Sequence, residues 1–241
     1  MSRYDVEKQK WDEKSEETLQ KRQNWKHHAT YDEIFATYNV LRPVYEFFTE
    51  IAQPNIKVLD YGCGAGWTAL LLAKKAAHIE AFDISEGRIA VLNKYIEHNN
   101  IQNLTARTAD GEALPYETES FDYVFGNAIL HHLRLDECLM EISRVLKPGG
   151  RAAFCEPMAH NPLINLYRYI KHHYVEDHLG TDQPLKYSDI ATFQKYFSKV
   201  EFQESSFFRD RYSWLIPVDK YLLKVPFLKR YVCYVTVLLT K

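Results

Sequence analysis

Val58-Leu59-Asp60-Tyr61-Gly62-Cys63-Gly64-Ala65-Gly66-Trp67-Thr68 is the stretch on which the fold turns. A short apolar run enters a Gly-x-Gly-x-Gly turn, and a helical pattern starts at Trp67. A second apolar run, Ile79 to Asp83, ends on a carboxylate about one βα unit later. This arrangement builds a pocket for an adenosine-containing ligand at the carboxyl edge of a parallel sheet. The glycines allow positive φ and a close approach of backbone to ligand, where a Cβ would intrude. The helix at Trp67 aims free N–H groups and partial positive charge at the same spot, which suits a carboxylate or a phosphate. A tight turn without a ligand is the plainer alternative, but it needs fewer glycines.

Outward from this stretch, strands and helices alternate. Strands are expected over Ile56–Tyr61, Ile79–Asp83, Leu104–Asp110, Phe121–Gly126 and Arg151–Cys155, and helices over Trp67–Ala77, Glu86–His98 and Asp136–Leu146. In the last helix Cys138, Leu139, Ile142, Val145 and Leu146 fall on one face. Pro148-Gly149-Gly150 is expected to end it. Such alternation implies a Rossmann-like α/β fold, a mostly parallel sheet with helices on both faces. Residues 1–50 read as a helical cap, with a stripe of Ile34, Phe35, Tyr38, Leu41, Tyr45 and Phe48. Residues 51–160 form the core, and 161–241 hold insertions and two final strands, Val200–Phe208 and Tyr231–Thr240. A short helix is expected over Ser188–Phe197 with Ser188 as its N-cap. The whole chain reads as one domain.

Asp83, at the end of the second strand, can take both hydroxyls of a ribose; as a helix cap it would duplicate Ser85. Asp110-Gly111 ends the third strand, where it either holds an adenine edge or makes an ordinary turn.

Val58–Thr68, Ala81–Ser85, Thr108–Pro115, Phe121–Leu133 and Ile142–Pro157 together resemble the class I S-adenosylmethionine-dependent methyltransferases, nearest to those acting on small molecules, lipids and quinones. The most specific parts are Leu59 to Gly66, Asn127-Ala128-Ile129-Leu130-His131-His132, and Arg144-Val145-Leu146-Lys147-Pro148-Gly149-Gly150. The resemblance implies a seven-stranded sheet with its last strand antiparallel, and S-adenosyl-L-methionine as cofactor. It implies that the glycine loop, with Asp60, Gly62, Cys63, Gly64 and Gly66, holds the methionine part. Asp83 would hold the ribose, Asp110 and Gly111 the adenine, with Ile84 packed on it and Asn127 beside the methionine. Neither Asn-Pro-Pro-Tyr nor Asp-Pro-Pro-Tyr occurs, so the resemblance gives no support for methylating DNA bases or protein glutamines.

Methyl transfer from a sulfonium needs mainly alignment; a base is required only when the nucleophile arrives protonated. His131, four residues past Asn127, is the first candidate base, imidazole being a side chain suited to accepting a proton at physiological pH. Orienting the substrate or capping a helix is the competing role. His132 reads as a packing or hydrogen-bonding residue that can touch substrate. His160, Asn161 and Tyr167 follow the fifth strand, where a substrate wall would stand, although His160-Asn161-Pro162 also reads as a helix entry. Tyr4, Trp11 and Trp25 either close over the cofactor or pack on the core. His172 and His173 diverge on a helix and His178 is out of step, so no metal is expected.

The reading is an enzyme transferring a methyl group to a small, partly hydrophobic metabolite, oxygen favoured, with nitrogen and carbon acceptors open. A nicotinamide-dependent oxidoreductase on a similar fold and a non-catalytic cofactor-binding protein are the alternatives.

The 241 residues carry a net charge of −2, which gives no general reason to bind nucleic acid. The tail from Arg209 is locally basic, and between Arg209 and Arg230 it mixes cations with Trp214, Tyr221, Leu222 and Phe227. Such a segment covers a sheet edge, meets a hydrophobic substrate or touches a membrane surface. The four cysteines sit in apolar stretches without zinc-like spacing, which implies buried reduced thiols. Met1–Gln23 has no apolar core and Tyr231–Thr240 is half a membrane span, so a cytoplasmic protein is expected.

Overall fold

The computed structural model describes residues 3–22, 44, 47, 55–74, 78–166, 169, 183–207, 218 and 221–241. Helix α1 (Arg3–Arg22) precedes β1 (Lys57–Tyr61), α2 (Trp67–Leu72), β2 (His78–Asp83), α3 (Glu86–His98), β3 (Leu104–Thr108) and β4 (Phe121–Asn127). A 3₁₀ turn (Leu130–His132) leads to α4 (Leu135–Val145), β5 (Leu146–Pro157), α5 (Ile190–Phe193), β6 (Lys199–Ser206), α6 (Pro226–Lys229) and β7 (Tyr234–Thr240). The strands form one sheet in the order β3-β2-β1-β4-β5-β7-β6. β7 runs antiparallel to both neighbours, and the remaining pairs are parallel. The fold is the Rossmann-like seven-stranded architecture expected from the alternation and the resemblance.

The central strands β1, β2, β4 and β5 are largely buried on both sides because helices cover both faces. Successive residues therefore feed two cores. Leu59, Val124 and Phe154 join the cluster under α4, while Val58, Phe125 and Ala153 join the one under α2 and α3. On α4, Cys138, Leu139, Ile142 and Val145 are fully buried, each apolar side chain contributing about 1.5–3 kcal/mol. All four cysteines are buried and unbridged.

Several boundaries differ from expectation. α2 stops at Leu72, followed by a turn at residues 73–74. α4 ends at Val145, and Pro148-Gly149-Gly150 lies inside β5 rather than after the helix. Leu146 pairs with Phe121 there, and Lys147 Nζ reaches Asp122 Oδ1 at 2.8 Å, so the chain is drawn into the sheet early. Ser188 is not an N-cap: it lies within a 3₁₀ turn, Tyr187–Asp189, whose entry is held by Lys186 N–H donating to Asp189 Oδ2. The helical stripe expected over 31–51 (Ile34, Phe35, Tyr38, Leu41, Tyr45 and Phe48) lies outside the described residues; within that span Val44 and Phe47 are described, and both are buried.

The parallel strands place the ends of β1, β2 and β4 along one edge of the sheet, where the candidate site lies.

Candidate active site

The turn after β1 begins at Gly62, whose φ of 71° is open to glycine at little cost. A Cβ there would stand 2.5 Å from Ile129 Cγ1. Gly66 (φ 82°) starts α2, and a Cβ on it would meet Leu92 Cδ1 of α3 at 2.4 Å. The turn is tied to the end of β2: Cys63 N–H donates to Phe82 O at 2.8 Å, and Gly64 N–H to Asp83 Oδ2 at 2.8 Å. Asp83 Oδ1 accepts from Ser85 N–H at 3.0 Å. Ser85 itself caps α3, accepting from Arg88 N–H. Each Asp83 oxygen has one backbone donor and keeps lone pairs for a ligand hydroxyl. Burial pushes the Asp83 carboxyl up, against the Ser85 and Gly64 amides and Arg88.

These elements enclose a cavity of about 250 Å³, near the low end of small-molecule sites, about 300–1,000 Å³. Of the residues expected to hold cofactor, Gly62, Asp83, Ile84, Asp110, Gly111 and Asn127 line it; Asp60, Cys63, Gly64 and Gly66 build the turn without lining it. Asp110 also closes an Asx turn, accepting from Glu112 N–H at 2.8 Å, as the ordinary-turn reading expects. Tyr61 forms the floor, its hydroxyl donating to Gly111 O at 2.6 Å. Asp60 lies beside it, buried, with Oδ2 lacking a hydrogen-bond partner. Burial, helped by the Asp83 charge and opposed by the Ala69 N–H, pushes its carboxyl up to about 8.

Beyond β4 the chain turns sharply at Ala128, a non-glycine residue at φ 55°. Glu156, near the end of β5, holds the three residues after that turn. Its Oε1 accepts from Ile129 N–H at 2.8 Å and Leu130 N–H at 2.9 Å, and its Oε2 lies 2.7 Å from His131 Nδ1. His131 is buried and does not line the cavity. His132 does line it, with Nδ1 3.5 Å from Glu7 Oε1 and Trp11 edge-on at 5.5 Å. The two imidazole rings lie 4.0 Å apart.

Arg3, Glu7 and Trp11 of α1 form another wall of the cavity. The helix is docked on α3: Lys8 Nζ meets Glu86 Oε1 at 2.5 Å, Ser85 Oγ donates to Asp12 Oδ1, and the Arg88 guanidinium lies 4.2 Å from the Trp11 ring centre. Trp11 is thus part of the site. Trp25 and Tyr167, with the histidines at 172, 173 and 178, lie outside the described residues, as does the Tyr4 side chain. His160 and Asn161 stand away from the cavity: His160 stacks near Tyr187, and Asn161 Oδ1 caps residues 163 and 164. Among the described residues no group of three metal-ligating side chains occurs.

Sequence reasoning passed over Glu156, Glu7, Arg3 and Arg88. Glu156 had a visible signal, a single acid closing an otherwise apolar strand. The α1 residues had none, because their partners are distant in sequence.

A glycine turn tied to a buried carboxylate at the end of β2, on a seven-stranded sheet with an antiparallel β7, is the arrangement that the resemblance to class I S-adenosylmethionine-dependent methyltransferases implies. Residues 58–150 match the methyltransferase domain family. The chain is 27% identical to the demethylmenaquinone methyltransferase of Halalkalibacterium halodurans over 203 residues, 78% of this chain and 74% of that protein. It is 37% identical to the malonyl-acyl-carrier-protein O-methyltransferase of Methylococcus capsulatus over 107 residues, 43% of this chain and 38% of that one. The solved structure of geranyl diphosphate C-methyltransferase from Streptomyces coelicolor A3(2), in complex with S-adenosyl-L-homocysteine, superposes with a TM-score of 0.61 at 16% identity, covering 81% of this chain and 74% of that one. The chain spans between 27% and 62% of the length of four further curated relatives.

Proposed function

We propose that this protein transfers a methyl group from S-adenosyl-L-methionine to a small, partly hydrophobic metabolite, with an oxygen nucleophile as the favoured acceptor. The observation that carries the reading is the cavity running from Asp83 and Asp110 past Gly62 and Asn127 to His132.

The residues present fit the cofactor. Asp83 offers both oxygens to a ribose, and Ile84, Phe82 and Ala109 give apolar surface for an adenine. Gly62 leaves room that a Cβ would fill. When bound, S-adenosyl-L-methionine supplies a methyl group activated by the positive sulfur. The chain's own work is then to align, to exclude water and to handle a proton. Trp11 and Arg3 cover the cavity from α1, which limits access of solvent.

For a hydroxyl or phenol acceptor, His132 is the group at the wall able to take the proton, at Nε2. The Glu7 carboxylate beside Nδ1 favours the imidazolium that results. His131, the base expected from sequence, stands behind this ring, and Glu156 fixes its orientation. In this reading His131 acts through His132 as a positioning residue. The relatives support a small organic acceptor without choosing the atom, since their names include both an O- and a C-methyltransferase.

The test is titration calorimetry with S-adenosyl-L-methionine, S-adenosyl-L-homocysteine and NAD, followed by labelled-methyl transfer to metabolites of the source cell. Binding of the first two, and its loss in Asp83→Ala, supports the proposal; binding of NAD alone overturns it. Once an acceptor is found, His132→Ala should lower turnover more than His131→Ala, with cofactor affinity kept in both. Unchanged turnover in both variants would remove the proton role and favour an acceptor that needs no base.

A further inference from the structure

At the carboxyl edge of the sheet, beyond β5, lies a surface that the methyl-transfer site does not use. Leu163, Leu166 and Tyr169 project from the helical segment after β5, and Leu163 is 75% exposed. Tyr221 and Phe227, in the segment before β7, are 71% and 67% exposed. The two segments are tied together: Asn161 Nδ2 donates to Tyr231 O at 2.7 Å, and Pro157 pairs with Tyr234 across β5 and β7. Both therefore emerge at the same edge as Gly62, Asp83 and Asn127.

Cations are interleaved with this apolar surface. Lys224 Nζ lies 5.5 Å from the Tyr221 ring centre, and the Arg230 guanidinium lies 4.8 Å from that of Tyr231. Lys229 follows on α6. Neither 157–175 nor 220–241 contains an aspartate or glutamate, although the chain as a whole is slightly acidic. Exposed large apolar side chains set among cations that have no acidic partner among the described residues match an interface that is apolar inside and negative outside.

We infer that this surface, centred on Tyr221, Lys224, Phe227 and Lys229, docks the protein on an anionic phospholipid bilayer. Phe227, Tyr221 and Leu163 enter the boundary between headgroups and acyl chains, and Lys224, Lys229 and Arg230 meet lipid phosphates. No helix described is long and apolar enough to cross a membrane, so the contact is peripheral. The inference goes beyond the proposed transfer and does not depend on it. Its use would be to hold the cavity next to acceptors that dissolve in the bilayer.

The full chain is sedimented with vesicles of phosphatidylcholine, with and without phosphatidylglycerol, at low and high salt. Binding to the anionic vesicles is expected, weakened by salt. Each cation at the surface is worth about a fivefold change in affinity. Lys224→Glu with Lys229→Glu should therefore reduce binding at least tenfold, and Phe227→Ser with Tyr221→Ser should do so at any salt. All four positions are outside the cavity, so thermal stability and S-adenosyl-L-methionine affinity should stay at the parent's values. No binding, or equal binding by parent and variants, overturns the inference. Concentration-dependent self-association that Phe227→Ser abolishes, without vesicle binding, also overturns it and assigns the surface to a second copy of the chain.

Discussion

Asp60 and Glu156 flank β4 on either side, one in β1 and one near the end of β5, and they are 1% and 0% exposed. Their surroundings differ sharply. Glu156 has both oxygens engaged by two backbone amides and an imidazole. Asp60 keeps one oxygen without a partner, and its carboxyl is driven up to about 8. A buried acid with three donors holds its surroundings together. A buried acid short of donors costs stability, and such groups concentrate where a ligand binds. The turn after β4 is thus braced by its acid, while β1, ahead of the glycine turn, tolerates one that is incompletely paired.

The strongest challenge to this contrast is Glu156→Ala. Removing the acceptor leaves three donors behind in a dry site, so unfolding in urea should show a loss of about 3–6 kcal/mol. A loss below about 1 kcal/mol would mean that water or a rearranged loop replaces the carboxylate. Asp60→Asn should act in the opposite direction. Between the unfolded and folded pKa values, about 4 and about 8, the folded state holds a proton that the unfolded state has released. Stability contributed at this site therefore falls as pH rises through that window. The asparagine variant should gain on the order of 5 kcal/mol over wild type at pH 8, about four pKa units at about 1.4 kcal/mol each, and little at pH 4. A parallel pH profile in the two proteins would show Asp60 to be ionised in the fold. Gly66→Ala tests the rigidity of the turn itself, where a Cβ meets Leu92 at 2.4 Å. A loss of about 1–3 kcal/mol is expected, measured by thermal unfolding. The smallest effect should come from Trp11→Ala, which removes one wall from the cofactor cavity while the glycine turn stays intact. Cofactor affinity should fall by about 0.5–2 kcal/mol in calorimetry, and an unchanged affinity would detach α1 from the site.

The same contrast decides what could be read in the sequence. Around the glycine turn the contacts are short in sequence: Gly64 meets Asp83 one βα unit on, and Ser85 caps its own helix at Arg88. Helix α3 is legible to both ends because Ser85 caps it and its apolar stripe is regular. Gly62, Asp83, Asp110 and Asn127 reach the cavity as their strand ends require. Around the paired histidines the deciding contacts come from acids in other elements: Glu156 reaches back to His131 across one helix, and Glu7 meets His132 from the amino-terminal helix. Which of two adjacent histidines faces the cavity depends on a 3₁₀ turn held by Glu156, and no local pattern encodes that choice. Helix α1 reads in the sequence as a charged helix with few anchors, and among its described side chains Arg3, Glu7 and Trp11, not an aliphatic stripe, meet the cavity.

Asp12 carries one more implication. Its Oδ1 takes the Ser85 hydroxyl at 2.5 Å and the Gly87 N–H at 3.2 Å, so the first turn of α3 is completed by a residue more than seventy positions earlier. The corner beside Asp83 is consequently finished only when the amino-terminal helix is seated. Trimming that helix, or fusing a bulky affinity tag against it, should leave the sheet folded and still blunt nucleoside recognition, so assays of shortened versions would understate what the intact chain can do.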